Sequence, residues 1–157
     1  MTGQAQSVSK EVESFEAYTI YALRQSASAL LGMMDRSKRI ASAWPDVMAL
    51  AQSAGLCKEV AGLACFQNSL AESLGDVEGV AGERFDLART GLQGVMESLE
   101  DSLNFNDPDI ARLLFSTQLP NALNNFALAI PPLEEYIRRV YLGTADPGEV
   151  AARHEDA

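Results

Sequence analysis

Few residues in this chain are equipped for bond-making chemistry. The single histidine, His154, sits in the tail "TADPGEVAARHEDA". Acid–base work by histidine, zinc sites and the Glu-x-x-His di-iron centres of helical bundles therefore lack their residue. The two cysteines, Cys57 and Cys65, are eight apart in one helical pattern. Eight residues of helix span ~12 Å at ~1.5 Å rise, beyond disulfide reach. With apolar neighbours and no histidine partner, they read as small buried hydrophobes rather than nucleophiles. As free thiols they suit a reducing compartment and place the protein in the cytoplasm.

Asp107-Pro108-Asp109 puts two carboxylates around one turn. A calcium loop needs further oxygen ligands and a glycine at fixed offsets, so the physical reading is a helix start. Asp107 caps the first amides, Pro108 fits the first turn and Asp109 favours the positive end. No glycine loop followed by Lys-Ser/Thr cradles phosphate, and no dinucleotide fingerprint follows a strand. Glu134 and Glu135 pair with Arg138 and Arg139 at four-residue spacing, ordinary surface support. The expectation is no metal, no cofactor and no enzyme.

Binding residues are better represented. "LLGMMDRSKRIASAWPDVM" gathers Met33, Met34, the only tryptophan Trp44, and Met48 around the chain's one basic cluster, Arg36, Lys38 and Arg39. Flexible methionines beside an aromatic anchor suit a partner groove, while Met33 and Trp44 also follow the core stripe. A second candidate is the amide row Gln118, Asn121 and Asn125, which runs along one edge of an apolar helix face. Pro120 cannot bond the carbonyl of Ser116, so the helix should bend there beside that row and leave the carbonyl free.

The elements that must position these groups are helical almost throughout. Val8, Val12, Phe15, Thr19, Ala22, Ser26, Leu30, Met33, Ser37, Ile40 and Trp44 step by three and four. The pattern predicts a helix over 8–43, closed by Trp44-Pro45. Pro45 opens a short helix over 45–54, with Gly55 as its left-handed cap. A second long pattern runs Leu56, Val60, Leu63, Gln67, Leu70, Leu74, Val77, Ala81 and on through Phe85 to Leu103. Unbroken from 57 to 103 it would measure ~70 Å, and Gly75, Gly79 and Gly82 each cost roughly 1 kcal/mol against alanine. A break is expected around 75–82. A helix over 108–130 follows, and Pro131-Pro132 ends it and starts a short one over 132–142.

The fold class is all-α, an elongated antiparallel helical bundle with a short C-terminal crossing helix. One domain over 8–143 is flanked by a disordered N-terminus, 1–7, and a disordered acidic tail, 144–157. A net charge of −10 repels phosphate backbones, so nucleic acid is excluded as a partner, and no apolar run reaches a membrane span. The function expected is a non-enzymatic protein-binding module (an adaptor, chaperone or accessory subunit) acting by protein–protein contact, with a homo-oligomer as a further option. The alternative is a structural or self-assembling protein that coats an apolar surface, by analogy with a phasin-like granule coat.

Overall fold

The computed structural model describes the backbone of residues 2–105 and 107–142 and the side chains of 15–105 and 107–141. The fold is an all-α bundle of four helices. α1 spans Thr2–Ala43, α2 Val47–Leu74 and α3 Gly79–Asn104. α4, residues 108–142, joins the α-helical segments Pro108–Leu113 and Leu119–Ile137 through the π-helical turn Leu114–Gln118 and ends in a second π turn, Arg138–Leu142. Neighbours around the bundle are α1–α2, α2–α3, α3–α4 and α4–α1, with α2 and α4 diagonal. The tail 144–157 lies outside the described residues, whereas the backbone of 2–7 continues α1.

Buried stripes follow the three-and-four spacing. Leu23, Leu30, Met33 and Ile40 of α1 meet Leu119, Leu123, Phe126, Ile130 and Leu133 of α4 in one continuous core. Phe85 lies edge-on to Phe126, ring centroids 6.4 Å apart, a geometry that aromatic quadrupoles favour. Asp107 caps α4 as its sequence predicts, accepting the Ile110 amide at 3.2 Å. The break expected at the glycines is real. α2 stops at Leu74, and Gly75 and Gly79 take φ of 66° and 80°. Gly82 has a different reason for being glycine, since a Cβ there would meet the Val77 carbonyl oxygen at 1.7 Å.

Two boundaries and one ion pair differ from the sequence reading. No short helix ends at Gly55, because α2 passes straight through it. Glycine costs a helix roughly 1 kcal/mol, less than the burial of Leu56 and Val60 just beyond it returns at about 1.5–3 kcal/mol each. Nor do Pro131 and Pro132 end a helix, so the expected crossing helix does not exist as a separate element; both sit inside α4. Leu133 and Ile137 are fully buried beyond them, with Tyr136 and Tyr141 packed on the core. That burial offsets a proline cost of about 3 kcal/mol. Pro131 and Leu128 are exposed, so water reaches the side of the helix where the prolines remove donors. Finally, Glu134 pairs with Arg24 of α1 at 3.6 Å rather than with Arg138, while Glu135 does pair with Arg139.

The two kinds of glycine should respond oppositely to alanine. Gly55 is helical with nothing within 4 Å of a built Cβ, so Gly55→Ala should stabilise by about 0.5–1 kcal/mol. Gly82→Ala forces backbone apart and should destabilise by roughly 1–3 kcal/mol. Urea midpoints of the two variants check this, and a Gly82→Ala variant as stable as the parent would contradict the close approach.

Candidate functional site

The residues that the sequence singled out do not assemble into one groove. Trp44 is only 6% exposed and packs on Phe115 of α4, ring centroids 5.2 Å apart. Its carbonyl accepts Arg112 Nη2 at 2.7 Å. Trp44 is thus a core residue that locks the α1–α2 corner onto α4, not an exposed anchor. Met33 is buried and Met34 half-buried against the core, whereas Met48 is 73% exposed. The basic cluster is largely paired: Arg36 Nη1 meets Glu59 at 2.5 Å, Arg39 Nη2 meets Asp35 at 2.6 Å, and Lys38 is exposed. Gln118 and Asn121 are exposed and Asn125 half-buried, so the amide row lies on the surface of α4. The carbonyl freed by Pro120 belongs to Phe115 instead of Ser116, and it is not available to a ligand, because the Ser37 hydroxyl donates to it at 2.5 Å.

A groove opens elsewhere, between α2 and α3. It encloses about 520 Å³ and is walled by Val60, Ala61 and Ala64 of α2 and by Met96, Leu99 and Leu103 of α3. Its origin is local. Where tight packing needs side chains that interdigitate, α2 presents Cys57, Ala61, Ala64 and Cys65 to the gap, and these are too small to fill it. α2 also lacks support from its diagonal neighbour α4.

Of the polar side chains that line the groove, Gln67, Asn68, Arg89, Gln93, Glu97 and Glu100, two carry buried donors without a partner. Gln67 is 2% exposed, and its Nε2 has no partner within the protein. Arg89 Nε is likewise buried without a partner. The rest of the Arg89 guanidinium is anchored: Nη2 donates to Asn68 Oδ1 at 3.1 Å, Nη1 lies 3.6 Å from Asp86, and the group stacks over the Phe85 ring. Asn68 adjoins Gln67 in the chain, so both orphan donors lie at one level of the groove. Each such donor costs about 1–3 kcal/mol of stability if left unpaired.

Sequence reasoning passed over this site, although one signal was present. Gln67 occupies a core position of the stripe Leu63, Gln67, Leu70, where an amide must find a partner or stay unsatisfied. The cysteines are unpaired as expected, but they are not the fully buried residues expected from the sequence. Both are free, Cys57 half-buried and Cys65 exposed, and both line the groove. No family model, no curated protein and no solved structure matches the chain.

The thiols offer a direct check on the groove walls. Burial pushes the Cys57 thiol up from its ordinary value, leaving less of the reactive thiolate at a given pH. Iodoacetamide at pH 8 should therefore alkylate Cys65 first, with Cys57 lagging and the gap narrowing as pH rises. Peptide mass spectrometry over time reads both sites, and faster labelling of Cys57 would contradict the geometry.

Proposed function

We propose that the protein is a non-enzymatic helical binding module, an adaptor, chaperone or accessory subunit, that works by protein–protein contact through one end of the bundle. The observation that carries this reading is a concentration of exposed apolar side chains where the α1–α2 and α3–α4 connections meet. Val47 and Phe105 are 81% and 82% exposed there, accompanied by Met48, Leu50, Ile110 and Leu113. The Arg112–Trp44 hydrogen bond ties the two connections together beneath them. Gathered apolar exposure of this kind marks contact surfaces, and aromatic and methionine side chains are favoured in them. Phe105 takes the anchor role considered for Trp44, and Met48 keeps its place in the patch.

A surface coat would need a long open apolar stripe. Elsewhere on the bundle the exposed large apolar residues are divided among α1 (Tyr18, Tyr21, Leu31), α3 (Val80, Leu87) and α4 (Leu128), short of the continuous stripe that a coat needs, which favours the local contact. Among the described residues no helix is long and apolar enough to cross a membrane. The free thiols fit a reducing compartment such as the cytoplasm.

Phe105→Asp and Met48→Asp test the reading. Both positions are exposed, so folding midpoints should move by no more than about 0.5 kcal/mol. Partner affinity should fall by about 2 kcal/mol for Phe105→Asp, as expected for an anchor. Proteins captured from the native cell by the parent chain and lost with Phe105→Asp support it. Concentration-dependent dimers that this change abolishes would instead identify the partner as a second copy, and identical capture by both baits would defeat it.

A further inference from the structure

We infer that the α2–α3 groove is a binding site for a small amphiphile, an apolar chain ending in a carboxylate, with the head group held by Gln67 and Arg89. This inference is independent of the contact surface at the bundle end. A volume of about 520 Å³ lies in the range of small-molecule pockets, which are mostly apolar with a few placed polar groups. The polar groups here are specific in kind. Gln67 Nε2 and Arg89 Nε both carry N–H donors, and neither has an acceptor within the protein. What these two donors lack is an acceptor, and guanidinium and amide N–H groups bind a carboxylate with charge-assisted hydrogen bonds.

The charged side chains lining the groove are Arg89 at one level and Glu97 and Glu100 at another, so the position of the head group decides which it meets. Asp86 lies 3.6 Å from Arg89 Nη1 and is not part of the groove lining. The rim carboxylates Glu97 and Glu100 begin eight residues further along α3. That is ~12 Å at the helical rise, more than the Debye length of about 10 Å at 0.1 M salt. The head group therefore meets Arg89 while the tail runs over Met96, Leu99 and Leu103 beneath that rim. From Gln67 to Cys57 the α2 wall covers ten residues, ~15 Å, a length suited to a medium-chain tail. Ala61 and Ala64 let the tail approach the α2 backbone.

The test is titration of the full chain with dodecanoate below its micelle concentration, followed by calorimetry. Saturable one-to-one binding is expected, weakened at least about tenfold in Gln67→Leu and in Arg89→Met by loss of a charged hydrogen bond. Bound dodecanoate should also slow alkylation of Cys57 and Cys65, which form part of the wall. Gln67→Leu carries a second readout, because it removes a buried unpaired donor at similar volume. Its thermal midpoint without ligand should equal or exceed that of the parent, so lost binding cannot be ascribed to unfolding. Dodecyltrimethylammonium, with the same tail and the opposite charge, should not compete. The inference is overturned if dodecanoate does not bind, if Gln67→Leu binds it as tightly as the parent, or if the cationic amphiphile competes equally.

Discussion

A proline inside a helix removes one amide donor, and the carbonyl that loses it must be satisfied elsewhere or destabilise the fold. Of the three prolines inside α4, Pro131 is exposed and Pro132 half-buried, while the buried one is Pro120. The turn before it is π-helical, and the Leu119 amide reaches five residues back to the Leu114 carbonyl. In that register the missing donor of Pro120 belongs to Phe115. Ser37 of α1, fully buried, supplies it with a 2.5 Å hydrogen bond. An unsatisfied buried carbonyl costs about 1–3 kcal/mol, so this bond is where α1 and α4 are fixed in register. The neighbouring contacts depend on it. The Phe115 ring carries Trp44, the Trp44 carbonyl holds Arg112, and α1 turns into α2 at that corner.

The same accounting runs the other way in the α2–α3 groove. There Gln67 takes a stripe position with no counterpart to Ser37, and its Nε2 is left without a partner. A bundle that satisfies one buried polar atom through a contact 78 residues apart in sequence leaves another open beside small side chains. Natural proteins concentrate such local violations at functional sites, where stability is given up for binding. Trp44 Nε1, against Phe115, is also without a partner, but Trp44 lies in the packed core. Gln67 and Arg89 instead bring two such donors to the wall of one groove, and that is the physical reason to look for a ligand between α2 and α3.

Much of the architecture was legible in the residues because helix burial is periodic. The stripes of α1 to α4, the Asp107 cap and the break at Gly75 follow from local rules. Pro131, Pro132 and Gly55 were misread because local propensity is worth only about 1–3 kcal/mol, while the stripe on either side of each was long enough to outweigh it. Trp44 was ambiguous because an aromatic on a stripe looks the same whether a partner or Phe115 covers it. Ser37 and Gln67 both stood in the stripes as polar residues. Which would be satisfied depended on the diagonal packing of the bundle, and no spacing encodes that.

The central claim is that Ser37 replaces the donor that Pro120 lacks, and a double-mutant cycle with Ser37→Ala and Pro120→Ala, read by urea denaturation, tests it most directly. In the parent background Ser37→Ala strands the Phe115 carbonyl and should cost about 1–3 kcal/mol. In the Pro120→Ala background an amide N–H is restored and can take the hydroxyl's place, so the same change should cost at least about 1 kcal/mol less. Costs that simply add, to within about 0.5 kcal/mol, would contradict the account.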